Sequence, residues 1–291
     1  MKKINFLELG ATLFVPATHK NLQSILSGEK YPVLKSVVVD MEDGIAEEFL
    51  EGALEVLKEL LRSYRRGDLL VFLRPNSVKT LQEILFYDNI LEIDGFVLPK
   101  FGLQNAKEYL NILEPFDFFI MPSIEGEELF CEHKLHELKD IFLDSSLHIE
   151  LVRFGLEDMF RQLRMKNRCE TSPFDVGALS HTLSRFIAIF KSAGFGVSGG
   201  VYRCFNDSDG FVKSVERDIF EGLMTKTIIH PNQIELAHNV YKVTQEEFNE
   251  ALEIIKREDA VFAQDSQMME RVTMTPYAQE IILRAEIYGI K

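Results

Sequence analysis

Eight short apolar runs, each giving way to polar or charged residues and separated by stretches of helical spacing, constrain this chain most. The runs cover residues 9–15, 36–39, 69–73, 95–98, 118–124, 147–154, 197–202 and 227–229. Between the second and third, Phe49, Leu50, Ala53, Leu54, Leu57, Leu60 and Leu61 recur with the period of one helix face. Helical spacing returns over 183–192 and 212–223. Strands alternating with helices predict an α/β fold with a parallel sheet. Eight such units in 291 residues fit a (β/α)8 TIM barrel over residues 1–235, with a doubly wound open sheet as the alternative. Beyond it the pattern changes. Thr244 and Glu247 form a T-x-x-E capping box opening a helix. A short extended stretch over 260–264 and a helix over 277–288 complete a helical/extended tail or lid, 236–291. That tail is left to pack on the barrel or on a neighbouring subunit.

Composition narrows the function. The formal net charge of −14 argues against a nucleic-acid surface, which needs clustered Lys and Arg. No apolar run reaches membrane-spanning length, and the N-terminus lacks a signal peptide's long apolar stretch. Cys131, Cys169 and Cys204 are odd in number, with no C-x-x-C pair, so reduced thiols and a cytoplasmic location are expected.

The residues at the run exits carry the candidate chemistry. Asp40, Glu42 and Asp43 follow the second run, Arg74 and Asn76 the third, Lys100 the fourth, Glu125 the fifth, and Glu157 and Asp158 the sixth. In a barrel these exits open on one face. Glu125 and Asp158 suit a hard divalent cation, which takes one or two carboxylates plus water and substrate oxygens. The alternative is that they cap the following helices. Arg74 offers a bidentate fork to a substrate carboxylate, or it forms a structural ion pair with Asp40 or Glu42. Lys100 offers a cation to an anionic group, or is simply paired or solvated. Gly194–Gly199 spells G-x-G-x-x-G but follows a helix and precedes a strand, the reverse of the dinucleotide fingerprint. No phosphate-binding P-loop or serine elbow occurs. His133 and His136 are placed on a helix surface.

Several segments in order resemble one family. They are Leu13-Phe14-Val15-Pro16, Asp40-Met41-Glu42-Asp43-Gly44, Arg74-Pro75-Asn76, Val97-Leu98-Pro99-Lys100, Phe154-Gly155-Leu156-Glu157-Asp158 and Ile229-His230-Pro231-Asn232-Gln233-Ile234, with Ala260-Val261-Phe262, Asp265 and Met268 in the tail. Together they resemble the citrate lyase β-subunit-like / malyl-CoA lyase branch of the HpcH/HpaI aldolase superfamily. The match is to a divergent group of barrel-fold C–C bond lyases. The resemblance implies Mg2+, with Mn2+ as a substitute, on Glu125 and Asp158. It implies substrate binding by Arg74, Lys100 and Asn76, and a catalytic part for Arg74. Glu42 and Asp43 orient metal-bound water. Asp265 acts as acid/base from a neighbouring subunit in a homotrimer or hexamer. The chain departs from the family where E-T-P-[RG] becomes Glu125-Gly126-Glu127-Glu128 and where the G-K pair becomes Thr225-Lys226. The expected function is Mg2+-dependent carbon–carbon cleavage of a 2-oxo or hydroxy acid or its acyl-CoA thioester. Two alternatives are a scaffold barrel that lost the reaction and a CoA-independent aldolase.

Overall fold

The computed structural model describes residues 4–264 and 267–291. Parallel strands close a barrel: β1 (Ala11–Pro16), β2 (Ser36–Asp40), β3 (Leu70–Arg74), β4 (Gly95–Leu98), β5 (Phe119–Ile124), then β6 (His148–Ile149) and β7 (Leu151–Phe154) as one interrupted rung, β8 (Gly196–Gly199) and β9 (Thr225–Ile228). Each rung pairs with the next, and β9 returns to β1 through Ala11↔Lys226 and Leu13↔Ile228. The eight-rung barrel expected from the sequence is present. The open sheet is excluded by the β9–β1 pairing.

The helices between rungs are α1 (Leu22–Leu26), α2 (Leu50–Ser63), α3 (Val78–Ile84), α4 (Ala106–Leu113), α5 (Glu132–Asp144), α6 (Leu156–Gln162), α7 (Gly177–Ser192) and α8 (Ser208–Phe220). Ala53, Leu54, Leu57 and Leu61 bury the inner face of α2, as their spacing requires. Gly194, at φ +94°, follows α7 in the left-handed conformation that ends helices and that glycine adopts without strain. It turns the chain into β8, so the G-x-G-x-x-G run joins helix to strand. His133 and His136 are exposed on α5.

Phe72, Phe119, Met121, Val97, Val38 and Leu151 fill the barrel interior, with the rings of Phe72 and Phe119 edge to face at 5.9 Å. One layer contains a buried cation. Arg153 donates to the hydroxyls of Thr227 (2.9 Å), Thr12 (3.2 Å) and Ser198 (3.3 Å), linking β7 to β9, β1 and β8. Its guanidinium lies 5.4 Å from the Phe14 ring, and Arg74 lies 5.2 Å from the same ring.

The expected reduced thiols are corrected. Cys169 and Cys204 form a disulfide across 35 positions, joining the connections after β7 and β8; Cys131 is free. No C-x-x-C spacing announces this pair, because the fold alone brings the two connections together. A cross-link of that span stabilises on the order of 4 kcal/mol in the chain-entropy model.

The chain divides into compact units Met1–Ile234 and Glu235–Lys291. In the second, α10 (Gln245–Lys256) opens with the Thr244/Glu247 capping box. β10 (Val261–Gln264) and β11 (Gln267–Glu270) form an antiparallel pair. α11 (Arg271–Tyr288) starts six residues before the expected helix. Val243, Ala251, Ile254, Met269 and Ile281 form its core. The helix α9 (Asn232–Tyr241) precedes α10. No helix among the described residues is long and apolar enough to cross a membrane.

Because Phe72 has no exposed surface, Phe72→Ala should cost about 3–5 kcal/mol. A chemical denaturation midpoint that does not move would contradict this packing.

Candidate active site

Strand register fixes the first contact. In the β2–β3 pair Asp40 lies opposite Arg74. Arg74 Nε and Nη2 donate to the two Asp40 oxygens at 2.6 and 2.7 Å, a bidentate fork. Its Nη1 reaches Glu42 at 3.1 Å and Asp43 at 3.5 Å. Asp40 also accepts from the backbone N–H of Glu42 (3.0 Å) and of Gly44 (3.1 Å), which folds the acidic turn back on the strand end. A Cβ at Gly44 would sit 2.8 Å from Asp40 Oδ2, so a side chain there would disturb the turn.

Lys100 bridges to the next acid. At φ +47° it holds a left-handed conformation that non-glycine residues adopt only at a cost. Its N–H donates to Glu125 Oε2 at 3.2 Å, while its ammonium pairs with Glu42. Glu125 follows β5, and Asp158 sits in the first turn of α6. Both converge on Gly155. A Cβ built there would lie 2.6 Å from Glu125 Cγ and 3.1 Å from Asp158 Oδ2. Gln162 Nε2 donates to the carbonyls of Glu125 (2.7 Å) and Asp158 (3.3 Å), tying the two segments together. Asp158 Oδ1 accepts from Arg161 at 2.8 Å. Neither acid caps the helix that follows it, so the capping alternative is not what the fold uses.

The electrostatics follow from this crowding. Asp40, Glu42, Asp43, Glu125 and Asp158 face Arg74, Lys100 and Arg161, five acids to three cations, so two negative charges are in excess. Burial pushes Glu125 up to about 7, with the Asp158 and Glu42 charges adding to it; Ser123 and Arg74 oppose. Burial would also raise Glu42, but Arg74, Asp43 and Lys100 overcome it and hold Glu42 below the usual carboxylate range. Lost hydration and the Glu42 carboxylate push Asp43 up to about 6. Arg74 is held fully charged, its hydrogen bonds to Asp40 outweighing burial.

The structure therefore gathers Glu42, Asp43, Arg74, Lys100, Glu125 and Asp158 at one mouth. Arg74 is a buried ion-pair hub, and Lys100 is paired. Asn76 stands two residues beyond β3, where its Oδ1 accepts from Ser77 (3.1 Å) and Thr80 (2.5 Å) at the start of α3. Asp265 lies outside the described residues. Lys226, kept from the family's G-K pair, points away from the mouth and forms a buried pair with Asp218 of α8 at 2.5 Å.

Sequence reasoning left out two groups that shape the site. Gln162 and Arg161 carry no signal beyond helical spacing from Asp158. Buried Glu128 accepts from the Leu103 N–H at 3.2 Å, so the altered segment after Glu125 binds the loop after β4.

The two acids fit a hard divalent cation. Both side chains flank Gly155, where Glu125 Cγ and Asp158 Oδ2 leave a gap that any side chain would fill; their carboxyls are close enough to raise Glu125, and their donor set is oxygen only. Among the described residues no group of three or more His, Cys, Asp or Glu gathers as a metal cage. The fitting ion is thus one that completes its shell with water and substrate.

Comparison with known proteins gives the family and the fold. The β-subunit of citrate lyase from Escherichia coli K12 is 29% identical over 303 residues, covering 96% of this chain and 94% of that protein. Mitochondrial citramalyl-CoA lyase from Rattus norvegicus is 25% identical over 281 residues, covering 89% and 77%. The CitE protein of Mycobacterium tuberculosis, solved with magnesium, acetoacetate and coenzyme A, superposes with a TM-score of 0.70 at 18% identity, covering 97% and 100%. The sequence profile described as C-C bond lyase of the TIM-barrel fold matches residues 3–290. With that match over nearly its whole length, this chain belongs to the TIM-barrel carbon–carbon bond lyase family.

Proposed function

We propose that this lyase cleaves a carbon–carbon bond in a small 2-oxo or hydroxy acid, or in its acyl-CoA thioester, with Mg2+ (or Mn2+) held by Glu125 and Asp158. The convergence of these two acids over Gly155, in a mouth with excess negative charge, carries the reading. The relatives support it: one is named for citramalyl-CoA, and another was solved with magnesium, acetoacetate and coenzyme A.

A divalent ion there supplies Lewis acidity to the substrate's carboxylate and neighbouring oxygen. The protein's own groups do the rest. Asp40 locks Arg74 so that only its Nη1 edge, shared with Glu42 and Asp43, faces developing charge. In a hydroxy acid the hydroxyl proton leaves, the carbon–carbon pair passes to the departing fragment as an enolate, and that carbon is reprotonated. Asp43, near pH 6, is the described acid best poised to exchange a proton. Reprotonation of the enolate falls to Asp265, by resemblance. Arg74, with Asp43 and Lys100, holds Glu42 ionised against burial.

The altered segment after Glu125 motivates the scaffold alternative. Its Glu128 nevertheless anchors the loop that carries Lys100, so the segment is rebuilt and not lost. Homotrimeric or hexameric assembly belongs to the same reading, as does a cytoplasmic location. The Cys169–Cys204 bond weighs against a permanently reducing compartment.

Asp158→Asn and Glu125→Gln should each lower Mg2+-dependent cleavage by at least about a hundredfold. Assays on citramalyl-CoA and on free oxaloacetate separate thioester from free-acid chemistry. Undiminished turnover in either variant contradicts the assignment, and wild-type protein showing no metal-dependent turnover or binding supports the scaffold.

Glu125 also predicts a pH dependence. Its folded value, about 7 against 4.5 unfolded, means the native state holds the proton more tightly. In metal-free protein the Glu125 contribution to stability should therefore fall by about 3 kcal/mol as pH rises from 4.5 to 7. Mg2+ must displace that proton below pH 7, so its stabilisation should be larger at pH 8 than at pH 6. Thermal melts with EDTA or Mg2+ at the two pH values check this. An equal Mg2+ gain at both, or the same gain in Glu125→Gln, contradicts it.

A further inference from the structure

We infer that Cys169 and Cys204 form a thiol–disulfide exchange site, open to attack at Cys204 by a dithiol, whose oxidised form braces the segment carrying Asp158. The observations come from the rim of the barrel mouth. Cys204 is exposed and Cys169 half-buried, so a reductant can reach the bond. Each cysteine follows an arginine, Arg168 and Arg203. Adjacent cations favour the thiolate, both as attacker and as leaving group.

The bond closes one side of a three-part bracket. Asn167, two positions before Cys169, donates to Glu157 Oε1 at 2.6 Å. Arg203, next to Cys204, lies 3.5 Å from Glu157 Oε2. Glu157 precedes Asp158 in the first turn of α6. The two connections are thus joined covalently to each other and polarly to one residue beside the proposed metal ligand. Arg203 and Glu157 are about half-exposed, 49% and 45%, and contacts of that kind hold weakly against water. The covalent side is the strong one.

Behind the bracket lies a cavity of about 480 Å3, lined by Arg168, Cys169, Phe174, Tyr202 and Arg203 and bounded by the Lys226–Asp218 pair. None of Glu42, Asp43, Arg74, Lys100, Glu125 and Asp158 lines it. Cutting the bond gives the two connections room to separate without unpacking the barrel.

A reagent thiolate attacks Cys204 Sγ, the Cys169–Cys204 bond breaks, and the electron pair leaves on Cys169 Sγ. The reagent's second thiolate then attacks its own sulfur in the mixed disulfide and releases Cys204. Two protons complete the cysteine thiols; the reagent ends as a disulfide.

The exchange chemistry stands apart from the proposed function, whereas any effect on metal affinity rests on it. The test is hydrogen exchange by mass spectrometry on protein purified without reductant, with and without a dithiol, beside Cys169→Ser/Cys204→Ser. Dithiol should speed exchange over 163–176 and 200–207 by roughly tenfold in wild type and leave the barrel strands unchanged. The double variant should show the faster rate throughout and ignore the reagent, and reoxidation should restore wild type. Calorimetry with Mg2+ should show weaker binding, by several-fold, after reduction. Free thiols at both cysteines in the purified protein, a bond that resists millimolar dithiol in the native state, or unchanged exchange after reduction would each overturn the inference. Loop exchange that responds while Mg2+ binds in neither redox state overturns the metal assignment and leaves the exchange site standing.

Discussion

Carboxylates outnumber cations at the mouth of this barrel, and burial makes that imbalance costly. Glu125 has 5% of its surface exposed. A carboxylate so placed must gain a proton, a cation partner or a metal. The nearby cations are already committed: Arg74 to Asp40, Lys100 to Glu42, Arg161 to Asp158. A divalent cation held as proposed would meet the requirement that these committed cations leave unmet. The metal site proposed on Glu125 and Asp158 depends on that shortfall.

The pairs arise from backbone register and not from sequence proximity. Asp40 and Arg74 end neighbouring parallel strands in register, so closing the sheet brings their charges together. Glu125 and Asp158 meet because β5 pairs with β7 through Ile124↔Phe154, leaving each acid just beyond its strand. Gly155 supplies the missing volume between them. Beneath, Arg153 and Arg74 share the Phe14 ring, which ties the floor of the mouth to the strand layer below.

Much of this was legible in the residues. Strands buried on both faces read as apolar runs, and their exits read as polar breaks, so rung count and the mouth acids could be placed. Helix starts were harder. α7 begins at Gly177 and not near 183, because Gly177-Ala178 lacks an apolar signal. α8 begins at Ser208 because Asp207 caps it through the Gly210 N–H. The bonds from Ser77 and Thr80 to the Asn76 amide oxygen, which fasten α3 to the end of β3, have no signal in the sequence. Arg153 offered a signal that went unused: an arginine inside the run Leu151–Phe154 must face a polar interior. The disulfide left no trace in spacing, since only the tertiary path of two connections sets it.

The central claim is where the cation sits. Crystals grown with Mn2+ and measured at its absorption edge locate it without an activity assay. The account predicts one anomalous peak between the Glu125 and Asp158 carboxylates, at roughly 2.1 Å from an oxygen of each. A peak held by other side chains, or none at saturating Mn2+, would contradict it.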